Sequence, residues 1–469
     1  MLKHAQTILP VGTKVRFLDP AIGTGSFYSA LLRVFPDSCI ETAVGYEIDP
    51  EFSVAAEKLF AGTPLTITLK DFTAANPPTS DREKFNLLIC NPPYSRHHHL
   101  QREEKARLRA LVERTAGITL SGLSGIYCYF LCLSQAWLAH GGVAGWLIPS
   151  EFMDVNYGKG LKDYMLSRLT LLRIHRFDPA EVQFEDAYVS SAIVWLRNAP
   201  PPGDADVEFS FGGSLASPAV VQRVPLKKLQ TSQKWTRYPE TEENRISMAR
   251  FQLSDFFEVK RGLATGSNDF FIMKVEDAEE RKLPAEFLRP ILPPPRNLHV
   301  DLIEADESGA PILDTELVLL DCPLSEETVR KLYPPLWDYL QEGVKIGIHK
   351  RYLCAHRSPW YSQENRPASP ILCSYMGRRV DTRRSPFRFV LNFSRATATN
   401  VWLLLYPKQD IAARLTRDRR LLESAWQVLN EIPNRDLLAH GRVYGGGLHK
   451  LEPRELGNVP ADEVAKLLC

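Results

Sequence analysis

Asp19-Pro20-Ala21-Ile22-Gly23-Thr24-Gly25-Ser26-Phe27 decides the fold of this chain. The residues before it, Val15-Arg16-Phe17-Leu18, alternate like a half-buried strand. Those after it set Tyr28, Leu31, Leu32 and Phe35 at helical spacing. Strand, glycine loop and helix in that order open a doubly wound α/β sheet. Gly23 and Gly25 allow a tight turn and a close approach of ligand to backbone. The third glycine of the dinucleotide fingerprint is missing, and no Gly-Lys-Ser/Thr follows as in a phosphate-binding loop.

Working outward, a second strand, Thr42-Ala43-Val44-Gly45-Tyr46, runs into Glu47-Ile48-Asp49-Pro50. An acid at this position can accept both hydroxyls of a ribose, in nicotinamide and in S-adenosylmethionine enzymes alike. A third apolar segment, Leu65 to Leu69, ends in Lys70-Asp71-Phe72, where Asp71 can accept from an adenine amine and Phe72 can pack on its ring. A fourth, Phe85-Asn86-Leu87-Leu88-Ile89-Cys90, runs into Asn91-Pro92-Pro93-Tyr94. Each proline keeps the residue before it extended. The Asn91 amide oxygen and the Pro92 carbonyl can then face one target, an NH2 group with two donors. Tyr94 adds a flat face for a planar base. Hydride transfer gives no reason for such a tetrapeptide.

These four motifs, each at a strand end and correctly ordered within residues 17–94, resemble those of the gamma-class DNA adenine-N6 methyltransferases, the Taq-like restriction-modification enzymes. The resemblance implies a Rossmann-like, S-adenosylmethionine-dependent methyltransferase sheet with a second α+β target-recognition domain. It implies cofactor contacts from Asp19, Pro20, Ala21, Gly23, Gly25, Phe27, Glu47, Ile48, Asp71 and Phe72, with Phe130 lining the adenine pocket. It implies catalysis by Asn91, Pro92, Pro93 and Tyr94, with Phe184 on the opposite face of the target base. Direct methyl transfer needs no metal and no covalent intermediate. His97-His98-His99 reads as a polar loop, because consecutive histidines in a strand point to alternate faces. The family's Thr-Pro segment ahead of the glycine loop has no counterpart in residues 1–14, where Leu2 to Leu9 matches only the tail of its helix.

The 469 residues, 44% of them hydrophobic, suffice for two or three cores. The expected division is a catalytic domain over 1–200, a linker with bridging strands over 201–245, and a DNA target-recognition domain over 246–469. Tyr127 to Leu138 reads as an apolar helix, turned by Gly141-Gly142 into the strand Val143 to Pro149. No apolar run of roughly 18 residues occurs, so no membrane span is expected. The absence of a signal pattern and of any C-x-x-C pair fits a cytoplasmic protein with reduced thiols. A net charge of +1 excludes a uniformly basic coat, so a DNA reader must segregate its charge. The stretch 345–395 does so with Lys345, His349, Lys350, Arg351, His356, Arg357, Arg378, Arg379, Arg383, Arg384, Arg388 and Arg395, interleaved with Trp360, Tyr361 and Tyr375. Lys260 to Asn268 and Tyr444 to Pro453 resemble target-recognition segments of the same family.

The leading expectation is therefore a site-specific adenine-N6 methyltransferase acting on double-stranded DNA. It would be the modification arm of a restriction system whose endonuclease is encoded separately, with a monomer favoured. The alternatives are methylation of RNA adenine or protein glutamine, and a non-catalytic DNA-binding subunit with a relic cofactor fold.

Overall fold

The computed structural model describes residues 1–94, 100–178, 190–241, 249–378, 385–444 and 447–469, with Asp410 described by its backbone alone. These fall into two compact units. One is Met1–Thr241 with Tyr444–Gly446, and the other is Glu242–Val443 with Gly447–Cys469.

The first unit is built on a nine-stranded sheet. In chain order its strands are β1 (Val15–Asp19), β2 (Ile40–Glu47), β3 (Leu65–Leu69), β4 (Phe85–Cys90), β5 (Leu138–Pro149), β6 (Thr170–Arg176), β7 (Ser191–Arg197), β8 (Asp206–Gly213) and β9 (Pro218–Pro225). Across the sheet they lie β3-β2-β1-β4-β5-β7-β6-β8-β9. β1 pairs in parallel with β2 and β4, β2 with β3, and β4 with β5, whereas β7 is antiparallel to both β5 and β6. The carboxyl ends of β1 to β5 therefore share one edge. The chain builds outward from β1 to β3 and then returns to add β4 on the other side of β1. That reversal leaves a crevice between the loops after β1 and β4, the place where open α/β sheets bind ligands.

Parallel central strands are covered on both faces and read as nearly continuous apolar runs. β4 fits: every residue except Asn86 is buried. Asn86 has a structural task. Its Oδ1 accepts from Arg16 N at 2.9 Å and its Nδ2 donates to Lys14 O at 2.8 Å, fastening the start of β1 to β4. The helix Ser26–Val34 follows the glycine loop and buries Tyr28 and Leu31. The helix Ile126–Ser134 is buried from Tyr127 through Ser134, Cys128 and Cys132 included. It ends before the expected Leu138. Gly141 and Gly142 lie inside β5, where the register with β4 shifts, and do not turn a helix into a strand. The Asn198 backbone holds this irregularity by accepting from Gly141 N and donating to Gly142 O, and its side chain donates to Leu138 O.

Residues 201–241, read from the sequence as linker and bridging strands, supply β8 and β9 at the edge of this same sheet. The segment after them is fastened to the unit. Lys162 Nζ donates to Gln233 O at 2.6 Å, Asp154 accepts from Thr236 N at 3.2 Å, and Arg176 donates to Thr236 O at 2.7 Å. Trp235 and Tyr238 are buried there.

The second unit is α+β. Its main sheet runs in the order Phe257–Arg261, Trp402–Pro407, Ile371–Ser374, Phe389–Asn392, Leu302–Ile303. The helices Arg419–Asn430 and Asp462–Leu468 contribute Leu422, Leu429, Val464 and Leu468 to its core. A second core gathers Phe270, Phe271, Leu336, Trp360 and Tyr361. The basic stretch 345–395 divides here. Arg357 donates to Ala264 O at 2.5 Å, Thr265 O at 2.8 Å and Gln363 Oε1 at 3.0 Å. Arg388 donates to Leu298 O and Val300 O, both at 2.7 Å, and ion-pairs with Asp301. Trp360, Tyr361 and Tyr375 are buried. Arg357, Arg388 and these three aromatics are thus structural, because a guanidinium's fork of donors satisfies loop carbonyls as readily as phosphates. Arg379, Arg383 and Arg384 lie outside the described residues.

Arg357→Ala removes bonds from a charged donor to two carbonyls and should cost about 2–3 kcal/mol. A lower urea midpoint of the full chain is the expected result, and an unchanged midpoint would refute the structural role.

Candidate active site

The glycine loop is held from the second strand. Glu47 closes β2, and its Oε2 accepts from Gly23 N at 2.9 Å. Its Oε1 accepts from Ile48 N at 2.9 Å and Asp49 N at 2.8 Å. Ile22 N donates to Tyr46 O at 2.9 Å, a second tie across the same gap. Gly23 and Gly25 have φ of +56° and +86°, the left-handed region that favours glycine. A Cβ on Gly25 would meet Phe60 Cε2 at 2.2 Å, so that residue packs where no side chain fits. Space beside Gly23 is open, with nothing within 4 Å of such a Cβ. By a count of about four lone-pair sites to a carboxylate, Oε1 is filled and Oε2 keeps one acceptor site. Ile48 beside it is 71% exposed.

Asp19, at the end of β1, is fully buried. Its Oδ1 accepts from Ala21 N at 3.1 Å, whereas Oδ2 makes no hydrogen bond, with the Cys90 thiol beside the carboxyl. Burial pushes its pKa up to about 7, opposed by the Ala21 amide and the Cys90 thiol and reinforced by the charge of Glu47. A buried carboxyl with an orphaned oxygen is suited to a cationic guest.

An aromatic wall follows β2 and β3. Phe72 is buried against Tyr46 at 5.5 Å, Trp137 at 5.1 Å and Phe130 at 5.5 Å between ring centroids. Phe72 and Phe130, far apart in sequence, thus meet. Tyr46 and Trp137 complete the wall and were not singled out in the sequence, because strand and helix aromatics look alike before packing is known. Asp71 is partly committed: its Oδ1 accepts from Thr73 N at 2.8 Å and Thr73 Oγ1 at 2.9 Å, and Arg107 lies 3.6 Å from Oδ2. Pro20 is buried, and Ala21 and Phe27 are half-buried.

Across the crevice, Asn91 and Pro93 are exposed and Pro92 is buried. Tyr94 donates from its hydroxyl to Leu147 O in β5 at 3.1 Å, so its ring is tethered. Burial and the nearby Cys90 thiol push the Tyr94 hydroxyl well above its usual range. Just past β5, Tyr157 donates to Glu151, a polar contact with no sequence signal. Phe184 and His97-His98-His99 lie outside the described residues. Among the described residues no three His, Cys, Asp or Glu side chains group as metal ligands.

The sequence and the fold match those of known proteins. A family model described as the C-terminal domain of Type II methyltransferase M.Eco57I matches residues 232–467, half of the chain. The chain belongs to the M.Eco57I family of Type II methyltransferases. A second model, the Eco57I restriction-modification methylase, matches residues 51–183 and so includes the Asn91–Tyr94 segment. Type II methyltransferase M.XamI of Xanthomonas campestris pv. amaranthicola is 28% identical over 457 residues, covering 95% of this chain and 80% of the relative. M.AccI of Acinetobacter calcoaceticus is 26% identical over 459 residues, covering 94% and 79%. The solved Type IIL restriction-modification enzyme MmeI, in complex with DNA, shares the fold with a TM-score of 0.55 at 11% identity, over 89% of this chain and 59% of that one.

In this Type II methyltransferase the donor set fits S-adenosylmethionine. Asp19 offers an unpaired oxygen to an ammonium, Glu47 Oε2 retains an acceptor site for a ribose hydroxyl, and Phe72 and Phe130 offer an aromatic wall. Asp19 also sets a pH dependence. Its folded pKa of about 7 exceeds the ordinary 3.8, so the folded state holds a proton that the unfolded state has lost. Its contribution therefore falls as pH rises from about 4 to about 7, and the penalty is complete above that. Asp19→Asn should flatten the melting temperature of cofactor-free protein across this range, gaining about 4 kcal/mol at most at the alkaline end. A calorimetric pH series in which wild type and variant run parallel would refute the burial of charge.

Proposed function

We propose that this protein transfers a methyl group from S-adenosylmethionine to the N6 amine of an adenine in duplex DNA, as the modification arm of a restriction-modification system with a separately encoded endonuclease. The observation that carries this reading is the Asn91-Pro92-Pro93-Tyr94 segment, which follows β4 directly and faces the glycine loop across the point where strand order reverses.

An adenine amine is a poor nucleophile because its lone pair is delocalised into the ring. The Asn91 amide oxygen and the Pro92 carbonyl accept its two hydrogens, favour a more tetrahedral nitrogen and localise that pair. Both acceptors are neutral, and the proline geometry fixes them before the amine arrives. When bound, S-adenosylmethionine supplies an electron-poor methyl on a sulfonium with a neutral leaving group. Asp19 and Glu47 hold its amino and ribose ends, so the reaction gains chiefly from positioning. In a duplex the target nitrogen is paired, and the nucleotide must leave the stack at a cost of a few kcal/mol. The tethered Tyr94 ring would return roughly 1–3 kcal/mol by stacking, and the resemblance gives Phe184 the same role on the other face of the base. The two terms are similar in size, so eversion is close to thermoneutral.

Incubation of the protein and cofactor with plasmid DNA, followed by single-molecule sequencing, should show N6-methyladenine within one short recognition sequence. Methylation of cytosine, or none at all, would sink the reading. Asn91→Ala should lower turnover by about a hundredfold or more while cofactor affinity stays essentially unchanged; full turnover would eliminate the acceptor role. Phe184→Ala should weaken the fluorescence rise of 2-aminopurine placed at the target, and a signal identical to wild type would count against stacking.

A further inference from the structure

Between Glu342 and Glu364 the second unit carries no acidic residue, while Lys345, Lys350, Arg351 and Arg357 are all basic. The bracketing acids are occupied. Glu342 ion-pairs with Arg281 at 3.0 Å, and Glu364 ion-pairs with Arg366 at 2.9 Å. The helix Pro334–Lys345 ends in this stretch, and a turn and the short helix Tyr352–Ala355 follow. Three large nonpolar side chains stand in solvent here: Ile346 at 70% exposure, Tyr352 at 76% and Leu353 at 37%. Lys345 and Lys350 are exposed and form no ion pair among the described residues.

This projection is mounted rigidly. Arg351 donates to Ser267 Oγ at 2.7 Å, and Arg357 clamps Ala264 O and Thr265 O. Ile348 and Cys354 are buried beneath it. The Tyr352 carbonyl lies 2.6 Å from His356 Nδ1, and the two rings sit 4.4 Å apart. The turn is thus built to hold an aromatic outward, within a stretch of sequence whose charged residues are all basic. A protein partner of ordinary composition gives no reason for that excess, whereas a polyanion with nonpolar base edges does.

We propose that Tyr352, with Ile346 and Leu353, is a DNA-contacting tip that meets base or sugar surface while Lys345 and Lys350 neutralise flanking phosphates. The proposal rests on the DNA reading above and adds the element that makes the contact. The Arg351 and Arg357 clamps order the backbone of the tip in advance, so less of the contact is spent on ordering it.

The test is equilibrium binding of labelled duplex DNA to the full chain by fluorescence anisotropy across a salt series. Tyr352→Ala should weaken binding about tenfold with the salt slope unchanged, and Tyr352→Phe should restore it. Lys345→Ala with Lys350→Ala should make the slope of log affinity against log salt shallower by about two. Urea midpoints equal to wild type would show that neither change acts through folding. Affinity and slope that match wild type in both variants, with wild type still methylating DNA, overturn the tip alone. A wild type that binds no DNA overturns the tip and the DNA reading together. A change in oligomeric state with unaltered DNA binding overturns it in favour of a protein contact.

Discussion

One carboxylate organises the catalytic face. Glu47 accepts from three backbone amides, one in the glycine loop and two at its own strand end. Without that acceptor, the Gly23 amide would need water in a partly buried place, and the Ile22–Tyr46 backbone bond would be left to hold the loop to β2. Two bonds, from Gly23 N and Ile22 N, tie the loop to the end of β2. The open space beside Gly23 follows from this anchoring.

The sequence made the strand-end motifs legible because their signals are local. Glycines at positive φ and consecutive prolines impose backbone geometry on their own neighbours, whatever the rest of the chain does. The succession of strands along the chain was likewise readable from motifs that belong at strand ends; their spatial order was not. What local signals cannot reveal is who stands next to whom. Asn86 reads as a polar blemish in an apolar strand until its bonds to Arg16 and Lys14 are seen. The wall of Tyr46, Phe72, Phe130 and Trp137 draws on four segments. The Gly141-Gly142 pair looks like a turn, yet Asn198 satisfies its backbone within the strand.

The second unit shows the converse hazard. A dense run of arginine suggests phosphate, but arginine is also the side chain best able to tie several carbonyls in one place. Arg357 and Arg388 serve the interior of the unit, and the aromatics interleaved with them are core. Composition alone cannot separate these uses; the carbonyl partners do. Elsewhere in the stretch, two exposed lysines, Lys345 and Lys350, precede an outward-facing tyrosine.

The solitary oxygen of Asp19 carries a final implication. A proton and a positively charged guest would compete for the same interior acid, so occupancy would exchange one for the other. The electrical balance of the cleft would then barely alter between empty and filled states. Near neutrality, a fall in acidity of the medium would favour the guest, and each arrival would release a fraction of a hydrogen ion into solution. Calorimetry in buffers of differing ionisation heat would register that traffic directly, without any chemistry on a nucleic acid.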